Sequence, residues 1–287
     1  MTSDDSANAP TGRCDPVIVC AAPTGARRSR RDHPNLPITP DEVAATAGEC
    51  LDAGAAMIHI HVRDDQGRHT LDVEAYRQMI RRIVRQVGDD MVIQVTTESC
   101  GMYHPQQQMD MVRQLRPQAV SLAISELIPD AAHEPAAAQF FEWLAAQGIF
   151  TQFIFYAADQ IRYFRDLLQR GLLCTNDPCV LFVLGRYAPP QPAKPQQLDP
   201  FLATGNFERA WFVCAFGERE HDCIARGLSR GGHARVGFEN NIALPGGGRA
   251  ARNAELVAAA YSGASALGRS LATAEQVRTL FELCLQH

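Results

Sequence analysis

Short apolar runs rich in Val, Ile and Phe alternate along this chain with amphipathic stretches, and that rhythm limits its fold more than any other feature. Runs of this length suit strands, while the stretches between them carry the wider period of helices. Strands are expected over 17–22, 57–62, 91–96, 119–123, 150–156, 179–184, 210–215 and 234–238. Helices are expected over 41–53, 73–86, 135–147, 160–170, 220–230 and 254–268. Thr39-Pro40-Asp41-Glu42 is a strong helix start: Thr39 can cap, Pro40 suits the first turn, and two acids face the helix dipole. About eight strand–helix units in roughly 270 residues predict an α/β fold of the (β/α)8 TIM-barrel type. An open doubly wound sheet is the rival, but no Gly-x-Gly-x-x-Gly follows the first run. Residues 1–15 read as a disordered tail and 16–287 as a single barrel domain.

Composition narrows the class. The chain has 287 residues, 46% of them hydrophobic and 21% charged, enough to bury a large core. Its net charge of −5 argues against a broad nucleic-acid surface. Nine cysteines are scattered with no Cys-x-x-Cys pair, which reads as reduced thiols and a cytoplasmic protein. The first residues lack an apolar signal segment, and no run approaches the roughly 20 apolar residues needed to cross a bilayer. Neither a membrane nor a nucleic acid is expected as a partner. Loops at 187–200 and 245–248 follow the sixth and eighth strands, where they would border the active face of a barrel.

Within Ile58-His59-Ile60-His61-Val62-Arg63 the two histidines are two apart, so on a strand they share one face. The bland reading makes them core histidines with local hydrogen bonds. The functional reading needs a third ligand from another strand end, and Glu239 in Gly237-Phe238-Glu239-Asn240-Asn241 offers one, because strand eight closes beside strands one and two. Two His and one carboxylate leave a position open for water or substrate. That set suits zinc as a Lewis acid, and also describes the facial triad of non-haem iron enzymes. Those usually sit on a jelly roll, so the β/α alternation favours zinc.

Other candidates stand at the same mouth. Arg63-Asp64 could brace a ligand or form a surface ion pair. Glu98 and Glu126 follow strands three and four, either facing the mouth or lying solvated in loops. Arg235 on strand eight suggests an anion or an ion-pair partner. Gly246-Gly247-Gly248-Arg249 is a weak phosphate-loop signal.

Several segments together resemble the β-keto acid cleavage enzyme family, typified by 3-keto-5-aminohexanoate cleavage enzyme. They are Thr24-Gly25-Ala26, Pro34-Asn35-Leu36-Pro37-Ile38-Thr39-Pro40, Ala53-Gly54-Ala55 leading into His59-Ile60-His61-Val62-Arg63, Phe182-Val183-Leu184-Gly185, Gly237-Phe238-Glu239 and Asn253-Ala254-Glu255-Leu256-Val257. They span nearly the whole chain from residue 17. The resemblance implies a TIM barrel, commonly a homotetramer, with one zinc ion per chain held by His59, His61 and Glu239, and Arg235 kept at the site. It also implies a retro-Claisen exchange in which a β-keto acid and acetyl-CoA give acetoacetate and a new acyl-CoA.

The chain departs from the family pattern at charged positions. Asn240 stands where an Asp base is usual, and a neutral amide takes no proton at pH 7. Arg27 replaces an acid after strand one. The turn expected to seat substrate reads Thr96-Thr97-Glu98-Ser99, Glu126 stands for a Thr after strand four, and Ile154 for an acid on strand five. Random decay would tend to leave small neutral residues rather than new charges. The scaffold is therefore expected to persist with altered chemistry or substrate: Arg27 binding an anionic group, and Glu98 or Glu126 acting as relocated base or binding an ammonium. The leading expectation is carbon–carbon cleavage or formation in a small β-keto acid. The alternatives are another metal-assisted reaction, hydrolytic or through an enolate, and a metal- and ligand-binding protein without turnover.

Overall fold

The computed structural model describes residues 15–174, 178–187, 189–205 and 210–283. All but one residue of the expected tail, 1–14, lie outside that range. Eight parallel strands close into a barrel: β1 (Val19–Ala21), β2 (Met57–Ile60), β3 (Val92–Thr96), β4 (Ala119–Ala123), β5 (Phe150–Phe155), β6 (Cys179–Leu184), β7 (Trp211–Ala215) and β8 (His233–Val236). Each pairs with its neighbour in sequence, and β1 closes the ring by pairing with both β2 and β8. The expected (β/α)8 barrel is the fold.

Strand alternation builds two cores. Val17, Val19 and Ala21 point outward into the layer between strands and helices, while Ile18 and Cys20 point inward with Met57, Val92, Leu181 and Phe212. Burial of every residue of β2, β3, β4, β6 and β7 explains why those runs are largely apolar.

The expected helices appear within two residues of their sequence bounds. Helix α1 (Pro40–Asp52) opens with Thr39 as the expected cap, and Glu42 completes a capping box: the Glu42 amide donates to Thr39 Oγ1, and the Thr39 amide donates to the Glu42 carboxylate at 3.0 Å. Around the ring follow α2 (Val73–Val87), α3 (Pro105–Leu115), the single turn α4 (Ile124–Leu127), α5 (Glu134–Ala146), α6 (Ala158–Gln169), the short α7 (Asp199–Leu202), α8 (Glu220–Ser229) and α9 (Asn253–Ala266). A last helix, α10 (Ala274–Phe281), lies beneath the barrel: Val277 and Phe281 join the inner cluster, and Phe281 stacks on Phe150 at 4.0 Å between ring centres. It seals the N-terminal end, so the open mouth is the C-terminal one.

Three local details differ from the expected pattern. The strand foreseen over 57–62 ends at Ile60, and Val62–Arg63 pairs antiparallel with His69–Thr70 in a small hairpin at the mouth. Strand β8 stops at Val236, because Gly237 turns with φ +146°; a Cβ there would lie 2.3 Å from the Ala22 carbonyl oxygen. Helices α3 and α10 carry too few periodic apolar residues to stand out in sequence. Among the described residues no helix is long and apolar enough to cross a membrane, and the seven described cysteines are free thiols.

Candidate metal centre and active-site cavity

Three elements bring the site together. His59 lies on β2 and points into the barrel, and His61 follows one residue beyond the strand with the same parity. Glu239 comes from the turn after β8, where its amide bonds the Ala22 carbonyl. This close approach requires Gly25, whose φ is +65° and whose Cβ would sit 2.5 Å from Glu239 Cγ. The Thr24-Gly25-Ala26 turn is thus shaped around the carboxylate. Arg63 secures the same turn from the other side, donating to the carbonyls of Gly25, Ala26 and Arg28. That settles Arg63 as a brace of the loop rather than a surface charge; Asp64 pairs with Arg68 at 2.8 Å instead.

His59 Nε2 lies 3.1 Å from His61 Nε2, and Glu239 Oε2 lies 3.8 Å and 3.4 Å from these two nitrogens. Ligands about 2.0–2.1 Å from a tetrahedral zinc stand roughly 3.3–3.4 Å apart, so the three atoms already have nearly the spacing of a metal face. Glu239 Oε2 is buried with no hydrogen-bond donor, as a ligand atom would be. Burial alone would raise the Glu239 carboxyl, but the charge of Arg235, followed by the two histidines, outweighs it and holds the group well below the usual carboxylate range. Burial, then the Arg235 charge, keeps His59 neutral, the form that donates a lone pair. Arg235 pairs with Glu239 Oε1 through Nη2, while its buried Nε and Nη1 have no partner.

Above this cluster opens a cavity of about 660 Å³, lined by Arg27, Glu98, Glu126, Arg235, Glu239 and Asn240 among others. The side-chain amide of Asn240 is buried with neither Oδ1 nor Nδ2 bonded. Arg27, after strand one, meets Glu98, after strand three, at 3.5 Å. The other Glu98 oxygen is 4.0 Å from His61 Nδ1. Glu126 stands on α4, its Oε2 receiving bonds from the Ser99 amide (3.0 Å) and Gln108 Nε2 (2.9 Å). Burial raises its carboxyl above the ordinary range; the Glu98 charge adds to this, and the bonds from Ser99 and Gln108 oppose it.

The remaining sequence candidates lie around the wall. Thr96 and Thr97 are buried, their hydroxyls bonded to the Glu98 amide and the Ser121 carbonyl, and Ser99 holds the Gly101 amide. None of the three lines the cavity. Ile154 does, giving that wall an apolar patch with Val183 and Phe216. Tyr187, Gln191, Gln197 and Pro200 come from the loop expected at the active face, whereas the glycines of 246–248 are exposed and take no part. Sequence reasoning overlooked Gln94 on β3 and Gln152 on β5, both buried inside the barrel. The available signal was an amide at an inward position of an otherwise apolar strand.

A profile of the beta-keto acid cleavage enzyme family matches residues 16–283. The chain is 29% identical over 280 residues to a 3-keto-5-aminohexanoate cleavage enzyme of Fusobacterium nucleatum, covering 93% of this chain and 98% of that one. It is 26% identical over 276 residues to a 3-oxoadipate:acetyl-CoA acetyltransferase of Cupriavidus necator, covering 93% and 95%. In three dimensions it resembles the apo structure of ObcA, with a TM-score of 0.68 at 17% identity; the match covers 88% of this chain and 66% of that protein. The chain belongs to the beta-keto acid cleavage enzyme family and is an enzyme of the β-keto acid cleavage type.

Proposed function

We propose that the protein exchanges acyl groups between a small β-keto acid and acetyl-CoA, using a zinc ion held by His59, His61 and Glu239. The observation that carries this reading is the convergence of those three ligand atoms, within 4.8 Å of one another, beside unpartnered donors of Arg235. When bound, zinc supplies Lewis-acid polarisation of a carbonyl oxygen. In the reaction R–CO–CH2–COO⁻ and CH3CO–SCoA become CH3CO–CH2–COO⁻ and R–CO–SCoA. The bond between the keto carbon and the methylene carbon breaks, and the carboxymethyl unit passes to the acetyl group.

The chain's own residues divide the remaining work. Arg235 offers Nε and Nη1 to an anionic oxygen, and Asn240 offers one donor and one acceptor beside it. Asn240 therefore binds and orients. Proton removal falls to Glu126, which lines the cavity wall and is held through Oε2 by the Ser99 amide and Gln108 Nε2. Glu98 is the alternative base, though its pairing with Arg27 suits it better to shaping the mouth. Arg27 draws anionic substrate toward that mouth. Thr96, Thr97 and Ser99 act behind the wall by holding the β3 turn and Glu126 rather than by touching substrate. A cytoplasmic homotetramer is carried over from the reduced thiols and the family resemblance, and sedimentation of the purified protein tests the assembly.

The test is mass spectrometry of zinc-loaded protein given acetyl-CoA and a panel of β-keto acids. Acetoacetate appearing with the matching acyl-CoA supports the reading. A blank across the panel, with zinc bound, overturns it in favour of a different metal-assisted reaction, which the neutral Asn240 at the usual acid position would then explain.

A further inference from the structure

A line of buried amides crosses the barrel interior behind His59. The His59 ring bonds through Nδ1 to Gln94 Oε1 at 2.9 Å, Gln94 Nε2 donates to Gln152 Oε1 at 3.3 Å, and Gln152 Nε2 lies 3.5 Å from Cys179 Sγ. Gln94 is 0% and Gln152 2% exposed, in an interior otherwise packed with Met57, Val92, Ala119, Phe150 and Leu181. Two amides among apolar side chains are costly unless each is bonded, and here their side-chain bonds run along this one line. Register puts them there: Gln94 pairs with His59 across β2 and β3, and Gln152 with Cys179 across β5 and β6.

The geometry points to Gln94 as the positioning residue that fixes the His59 tautomer, with Gln152 holding Gln94 the right way round. An imidazole that donates from Nδ1 keeps its lone pair on Nε2, the atom facing His61 and Glu239. An amide turned end for end would offer N–H to Nδ1, moving the ring proton to Nε2 and blocking coordination. Gln152 Oε1 opposes that turn because it accepts from Gln94 Nε2. His61 has no such hydrogen bond, since its Nδ1 faces the Glu98 carboxylate only at 4.0 Å, so the two histidines are unequally prepared for a metal. This inference rests on the reading of the site as a metal centre.

The test is calorimetric titration of the metal-free full-length protein with Zn2+. Loss of an outer-shell partner of a ligand histidine lowers metal affinity about 10–100-fold, so Gln94→Met is expected to fall in that range. Gln94→Glu keeps an acceptor for Nδ1–H and is expected to restore affinity to within a few-fold of wild type. Gln152→Met is expected to weaken binding while leaving every ligand in place. Equal affinity of Gln94→Met and wild type would overturn the assignment, and no zinc binding by wild type would remove the metal reading with it. Should Gln94→Met fail to fold, the 15N spectrum of the His59 ring in metal-free wild-type protein decides. Protonated Nδ1 supports the assignment, and protonated Nε2 overturns it.

Discussion

At the scale of single residues, the proposed roles separate groups that bind from groups that move protons. Asn240 cannot serve as a base, but its unbonded amide is well suited to orient an oxygen beside Arg235. Glu126 carries the base role in this account. A base works only when ionised, so activity should fall as pH drops through its carboxyl's value, which burial places above the ordinary range. Glu126→Gln is expected to lower kcat by about 10²–10⁴-fold and to remove the acid limb of the pH–rate profile. Unchanged activity would take Glu126 out of the role. The convergence of His59, His61 and Glu239 was legible in sequence because an alternating His-x-His and an acid at a strand end carry their geometry with them. Gln94 was not, because one amide in Val-Ile-Gln-Val-Thr says nothing about a partner two strands away.

At the scale of elements, two turns decide whether those residues meet. The β1 turn fits around Glu239 only with glycine at position 25. Gly25→Ala should strain that turn by about 1–3 kcal/mol and displace the carboxylate, measured as a lowered melting temperature with at least tenfold weaker zinc binding. Helix α8 carries the second device. Glu220 is buried at its start and accepts from Asn241 Nδ2 at 3.1 Å. Burial pushes its carboxyl up to about 8, against the opposing bonds from Asn241 and Gly237. The folded chain therefore keeps a proton that the unfolded chain sheds between its ordinary value of 4.5 and about 8, so this group's stabilisation is lost as pH rises through that window. Glu220→Gln should flatten that decline in urea unfolding. An equally steep decline in the variant would show that another group is responsible. Strand periodicity made the barrel readable element by element, while the amide-rich α3 and the sealing helix α10 were not, since their burial depends on partners distant in sequence.

At the scale of the whole molecule, the barrel has a closed end and a working end, each marked by buried histidines. At the closed end His233 Nδ1 accepts the Ile18 amide at 3.0 Å, and burial with the nearby Arg269 charge lowers its value from 6.5 to about 3. The unfolded chain binds that proton first, so the stabilisation is full above pH 6.5 and is lost as pH falls toward about 3. His233→Gln should give a shallower acid limb in denaturant unfolding, and an unaltered limb would exclude His233 as the source. At the working end, Arg27, Glu98, Glu126 and Asn240 line the cavity above the proposed metal centre of His59, His61 and Glu239. The most direct test of that centre is an anomalous-scattering map from crystals of zinc-loaded protein. The account predicts one peak per chain at coordinating distance from His59 Nε2, His61 Nε2 and Glu239 Oε2; no peak there, or a peak elsewhere, would contradict it.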